Sequence, residues 1–192
     1  MSTRPILQFG APELRQKARP VNSFNKQLRL LIDAMAETLE GKEDGAALAA
    51  PQIGVLRRVV VISYENDYLE LINPEIITAD GESTEYEGCL SFSGYVGLVR
   101  RSNSITLRYL TRNGNERVLE RDGSLARCIQ HEIDHLDGVL FIDRMVTESL
   151  VHSKADMTIS RQSVLDLSNG QIPHAQENAI WTENGKGGVP PR

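Results

Sequence analysis

The chain has 192 residues, 40% apolar and 24% charged, with a net charge of −5. It is long enough to bury a core and too apolar for disorder. The acidic balance, the lack of a basic run and the lack of any apolar stretch near the ~18 residues of a membrane span argue against DNA or membrane as partners.

The opening "MSTRPILQFG" carries one Arg and no long apolar run, so no secretory signal is expected there. The two cysteines, Cys89 and Cys128, are too few for a disulfide scaffold and are expected reduced, in a cytoplasm. Residues 10–20 predict a short turn or helix closed by Pro20. Residues 23–45 predict the clearest helix. Leu28, Leu31, Ile32, Met35 and Leu39 recur at helical spacing, Ser23 or Asn25 can cap the start, and Gly41 can end it. "GAALAAPQIG" (45–54), small and apolar around Pro51, predicts a packed loop. Residues 57–64 and 69–77, rich in Val and Ile, predict strands, and residues 104–111 and 116–123 a hairpin about "RNGN". Residues 124–138 predict a helix with Leu125, Cys128, Ile129, Ile133 and Leu136 on one stripe and Gly138 just past its end. A weaker helical pattern covers 148–167. Beyond it, 169–192 is Gly-, Pro- and Asn-rich without periodicity and predicts a tail on a single domain of residues 1–168. The fold class expected is α+β, with strands in the middle and helices towards the ends.

The helix at 124–138 contains "QHEIDHLDG", in which His131 and His135 stand one turn apart with Glu132 between them. Two imidazoles on one face can bind one cation, and the adjacent glutamate can handle a proton of water activated there. The bland alternative is a polar stripe with a solvated Glu132. A third ligand sets the class of site. In the pattern H-E-x-x-H-x-x-G-x-x-H the next histidine falls at Phe141, so that pattern is broken. Asp143, Glu148 and Glu177 are downstream carboxylates with nothing to choose among them. Cys128 lies about 4.5 Å further along the helix axis from His131, on a short side chain. Cys89, in "YEGCLSFSG", comes from a separate segment and can complete a Cys-His-His site with a fourth position for water; its bland alternative is a small buried hydrophobe.

Three stretches in order, "GAALAAPQIG", "EGCLS" and "QHEIDHLDG", resemble the three signature motifs of peptide deformylases, and the likeness covers about residues 5–147. The resemblance implies antiparallel sheets packed around a central HExxH-bearing helix. It implies a hydrolase that removes the N-formyl group from nascent chains beginning with formyl-methionine and releases formate. Carried onto this chain, Cys89, His131 and His135 would be the metal ligands and Glu132 the proton carrier. The amide of Gln52 and the backbone N–H of Leu90 would face the developing oxyanion. The metal implied is Fe(II), with Zn, Ni or Co as substitutes. Glu87 is implied to orient a neighbour. Gly45 would lie along the peptide, which would pair as an added strand. Tyr86, Cys128 and the stem of Arg127 are placed by position to line a methionine pocket. Nascent formylmethionyl peptides are the implied partners, and transient ribosome contact is left open.

The chain departs from the family pattern in three places. Ala47 stands where the first motif has its second glycine, so the backbone there is either ordinary or strained. Ser93 and Val96 stand where a proline and an arginine are usual, which bears on recognition of the distal peptide. The tail lies outside the likeness. Two rival readings are a different HExxH metallopeptidase and a non-catalytic relative kept for binding.

Overall fold

The computed structural model describes residues 3–42, 45–155 and 157–168; the predicted tail lies outside them. Its elements are α1 (Lys26–Glu40), β1 (Ala47–Ala49), β2 (Val59–Tyr64), β3 (Asp67–Asp80), β4 (Ser83–Cys89), β5 (Phe92–Arg101), β6 (Ser104–Leu110), β7 (Glu116–Asp122), α2 (Gly123–Leu136), α3 (Phe141–Arg144), β8 (Ser149–His152), β9 (Thr158–Ser160) and α4 (Arg161–Ser168). Short 3-10 turns cover Pro12–Arg15 and Ala50–Ile53. Every strand pairing within the two sheets is antiparallel. A five-stranded sheet has the order β1-β2-β3-β6-β7, and a four-stranded sheet the order β4-β5-β8-β9.

The larger sheet is covered on both faces, which accounts for the unbroken apolar run of β2. Val59 and Val61 face α1, where Leu28, Ile32, Met35 and Leu39 pack against them. Val60 and Ile62 face α2 and meet Leu125, Ile129, Ile133 and Leu136. Alternation puts successive side chains on opposite faces, so a doubly buried strand needs apolar residues throughout. A third cluster joins α3, β5, β8, β9 and α4 through Val99, Phe141, Ile142, Leu150, Ile159 and Val164. Each such side chain contributes about 1.5–3 kcal/mol on full burial.

Asn25 caps α1 by accepting from Leu28 N–H at 3.2 Å. The Gln130 amide ties α2 to the β5–β6 turn, donating to Ser102 O at 2.8 Å and accepting from Ser102 N–H at 3.1 Å. Gly138, just past α2, has φ +74°, and a Cβ there would sit 2.6 Å from Arg15 O. Only glycine meets both the left-handed backbone and the close approach.

Three regions differ from the sequence reading. The loop predicted for 45–54 holds β1, a short edge strand, followed by a 3-10 turn. The β4–β5 hairpin was not predicted, because its buried face carries Gly97, Val99 and Arg101 instead of an apolar alternation. The helix predicted for 148–167 is instead β8, a turn, β9 and the shorter α4. Leu150 and Ile159 pair across β8 and β9 and bury together, so tertiary contact overrides local helical spacing.

Candidate metal centre

α2 presents His131 and His135 on one face, and both are buried. The end of β4 brings Cys89 to them, with Sγ 3.2 Å from His135 Nε2. Ligand atoms of Cys89, His131 and His135 all lie within 4.8 Å of one another. Cys128, on the same helix, packs against the first core cluster and takes no part in this group. Burial, with Glu132 and Glu87 adding to it, pushes its thiol well up.

Glu87 accepts from His131 Nδ1 at 3.0 Å. A proton held on Nδ1 leaves Nε2 with its lone pair free to ligate. Two arginines hold Glu87: Arg101 through Nε and Nη2, both at 2.9 Å, and Arg127 through Nη1 at 2.7 Å. Burial alone would raise the Glu87 carboxyl, but hydrogen bonds from His131 and Arg101 outweigh it and hold it well below the usual carboxylate range. Arg127 also donates to Val99 O at 3.0 Å and to Ser83 Oγ at 2.8 Å. Its guanidinium is thus committed to this network, which leaves only its stem for a pocket wall. Tyr86 lies on β4 and is exposed.

Burial opposes charge on both histidines. At His135 burial leads, and the charges of His131, Arg101 and Arg15 add to it, keeping the ring neutral, the form that ligates. At His131 burial is outweighed by Cys89 and Glu87, and the ring's pKa rises well above its ordinary value. The ligand atoms of these three residues converge within 4.8 Å of one another. The donor set, one thiol and two imidazoles, therefore fits a divalent metal ion.

Glu132 is buried beside this group, and its Oε2 has no hydrogen-bond partner among the described residues. Burial raises its carboxyl to about 7; His131 opposes the rise and Glu87 adds to it. Gln52, at the end of the 3-10 turn after β1, is buried too. Its Oε1 accepts from Ala49 N–H at 2.8 Å, which turns Nε2 towards Ser91 Oγ at 3.3 Å and Cys89 Sγ at 3.6 Å. Leu90 lies between Cys89 and Ser91, in the tight turn from β4 to β5. Gly45 sits just before β1, where a Cβ would meet Lys42 Cβ at 2.9 Å and Leu39 Cδ1 at 3.0 Å, so packing alone demands glycine.

The family model for polypeptide deformylase matches residues 3–150. The chain belongs to the polypeptide deformylase family. It is a hydrolase that removes the N-formyl group from newly made polypeptides. It is 48% identical over 146 residues to a peptide deformylase of Thermoanaerobacter pseudethanolicus, covering 76% of this chain and 91% of that one. The crystal structure of the peptide deformylase from Thermotoga maritima superposes with a TM-score of 0.74 at 40% identity, over 77% of this chain and all of that one. A class I type b peptide deformylase of Acinetobacter baumannii with Met-Ala-Ser bound gives a TM-score of 0.72 at 31% identity, over 75% and 99% of the two chains. The family match does not favour either rival reading of the HExxH motif.

Of the departures from the deformylase pattern, Ala47 is resolved by the structure. It lies in β1 opposite Ile62 and is not among the residues with positive φ, so no glycine is needed there. Val96 stands opposite Val151 of β8 in the strand register, at the position where the deformylase pattern has arginine. Residues that sequence reasoning missed are Arg101, Asp134, Arg144 and Ser91. Nothing local marks Arg101, because its partners lie 14 and 33 residues away.

Proposed function

We propose that Cys89, His131 and His135 hold one divalent metal ion, natively Fe(II), with Zn(II), Ni(II) or Co(II) able to replace it. The observation that carries this reading is the convergence of a thiol and two imidazoles within 4.8 Å, beside a buried carboxylate oxygen that lacks a partner. An ion bound there supplies Lewis acidity, which lowers the pKa of water and polarises the formyl carbonyl.

Side-chain and backbone groups of this chain do the rest. Glu132 takes the proton of the attacking water and delivers it to the leaving amine nitrogen, at an Oε2 that no protein donor occupies. Gln52 Nε2 and Leu90 N–H donate to the formyl oxygen as charge develops on it. Ala49 N–H holds the Gln52 amide in the orientation this needs, so little reorganisation is required during the step. Glu87 fixes the His131 ring.

The peptide adds as a strand along the free edge of β1, beside Gly45. Its methionine side chain lies near Tyr86, Cys128 and the stem of Arg127. A bound Met-Ala-Ser in the Acinetobacter baumannii relative supports a methionine-led peptide here. In this reading α2 is the central helix around which both sheets are arranged, and residues 1–168 form one catalytic domain. The bacterial relatives support a bacterial cytoplasm as the place of action, and no helix among the described residues is long and apolar enough to cross a membrane.

The test is formate release from a short formyl-methionyl peptide under anaerobic conditions, with an acetylated peptide as control and metal content measured alongside. One metal per chain and formate from the formyl peptide alone are expected. Metal-loaded protein that releases no formate counts against the assignment.

A further inference from the structure

Four charged side chains of alternating sign run from the surface to His131. Arg144, at the end of α3 and half-exposed, sets its guanidinium on Asp134, with Nη2 2.8 Å from Oδ1 and Nε 3.2 Å from Oδ2. Asp134 is buried, and its Oδ2 also accepts from Arg101 Nη1. Arg101 grips both oxygens of Glu87, and Glu87 accepts from His131 Nδ1. A buried network of this kind is often no more stable than apolar side chains of the same volume, so stability alone is a weak account of it.

The short helix α3 touches the same ligand a second way. Phe141 stacks on His131, with ring centroids 6.2 Å apart and 22° between the planes. α3 is itself pinned: Arg15 pairs with Asp143 at 2.5 Å, and Asp143 accepts from Leu140 N–H at 2.8 Å. One four-residue helix therefore packs on the face of the imidazole and anchors the far end of the charge chain.

We propose that Asp134 and Arg144 are positioning residues for His131, acting through Arg101 and Glu87. The inference rests on the metal reading above. Glu87 Oε1 is shared between Arg101 and Arg127. When Arg101 loses its anchor on Asp134, the carboxylate is free to pivot about Arg127, and the His131 ring follows the oxygen that holds its Nδ1. A site of this kind tolerates only about 10–20° of misorientation before function suffers.

The test uses the full chain loaded with Co(II), whose absorption spectrum reports ligand geometry. The variants are Asp134→Asn, which keeps the shape, Arg144→Met, and Arg144→Lys, which keeps the charge but not the fork. Arg108→Met, which breaks the exposed pair with Glu75 at 2.8 Å, is the control. Three quantities are read: the spectrum, the half-time of Co(II) loss to a chelator, and kcat and KM for a formyl peptide at equal loading.

Asp134→Asn and Arg144→Met are expected to shift the spectrum and shorten the half-time about 10-fold, the lower end of the range for residues behind a ligand. They are expected to lower kcat by a similar factor with KM within about twofold, because ligand geometry bears on the reaction more than on peptide binding. Arg144→Lys should fall between Arg144→Met and the wild type, and Arg108→Met should match the wild type. If Asp134→Asn fails to fold, Arg144→Met, at a half-exposed side chain, carries the test alone. The proposal is overturned if the variants melt earlier yet keep the wild-type spectrum, half-time and kcat, since that is a purely structural role. Loss of Co(II) binding in the wild type and the control alike would be a different result, overturning the metal reading and this proposal with it.

Discussion

Glu132→Gln separates chemistry from stability more cleanly than any other change in this chain. Glu132 is 4% exposed, and its buried Oε2 has no hydrogen-bond partner among the described residues. An amide of the same shape therefore breaks no such contact at Oε2 and removes a charge that burial disfavours, so the variant should melt at or slightly above the wild-type temperature. Cys89, His131 and His135 are untouched, so metal content should stay full. Activity should nevertheless collapse, because the amide cannot accept a proton from water. Loss of a general base typically costs about 10²–10⁴-fold, which is about 2.7–5.5 kcal/mol of transition-state stabilisation. The assay is formate release at saturating formyl peptide, with metal content and thermal melting measured on the same preparation. A variant that keeps a third of the wild-type kcat with full metal content would refute the role assigned to Glu132.

Three further outcomes are expected. Gln52→Leu should lower kcat about 10²–10³-fold as an oxyanion donor is lost; it also leaves the buried Ala49 N–H without its acceptor, at a cost of about 1–3 kcal/mol. A rise in KM alone would move Gln52 to ground-state binding. Cys89→Ser should lose metal on dialysis while Cys128→Ser keeps it, because only Cys89 faces His135; the reverse stoichiometry would place the sulphur ligand on α2. Glu87→Gln strips two buried guanidiniums of their shared carboxylate and should destabilise by about 3–5 kcal/mol, read from chemical denaturation at fixed metal content. A loss under about 1 kcal/mol, the range of an exposed pair, would show that the network tolerates an uncharged partner.

What the sequence by itself determined about this protein was local or periodic. The stripe of α1, the apolar run of β2, the β6–β7 hairpin about "RNGN" and the histidine pair of α2 are each written in fewer than about 25 consecutive residues. A 3.6- or 2-residue period is a property of the chain alone, so it survives without knowledge of the fold. The three deformylase-like stretches were legible for a related reason: each is contiguous.

Tertiary structure alone decided what depends on distance across the fold. Cys89 is 46 residues from His135 and reaches it only because β4 ends over α2. Arg101 shows no local pattern, since a buried arginine interrupts the alternation that would have marked β5 as a strand. Its meaning comes from Glu87 and Asp134, which lie on two other elements. The segment after α3 reads as a helix by spacing but pairs as β8 and β9, because the edge of β5 is there to receive it. Periodicity reports which face of an element is apolar, whereas a site is made where several elements meet, and that meeting is set by packing.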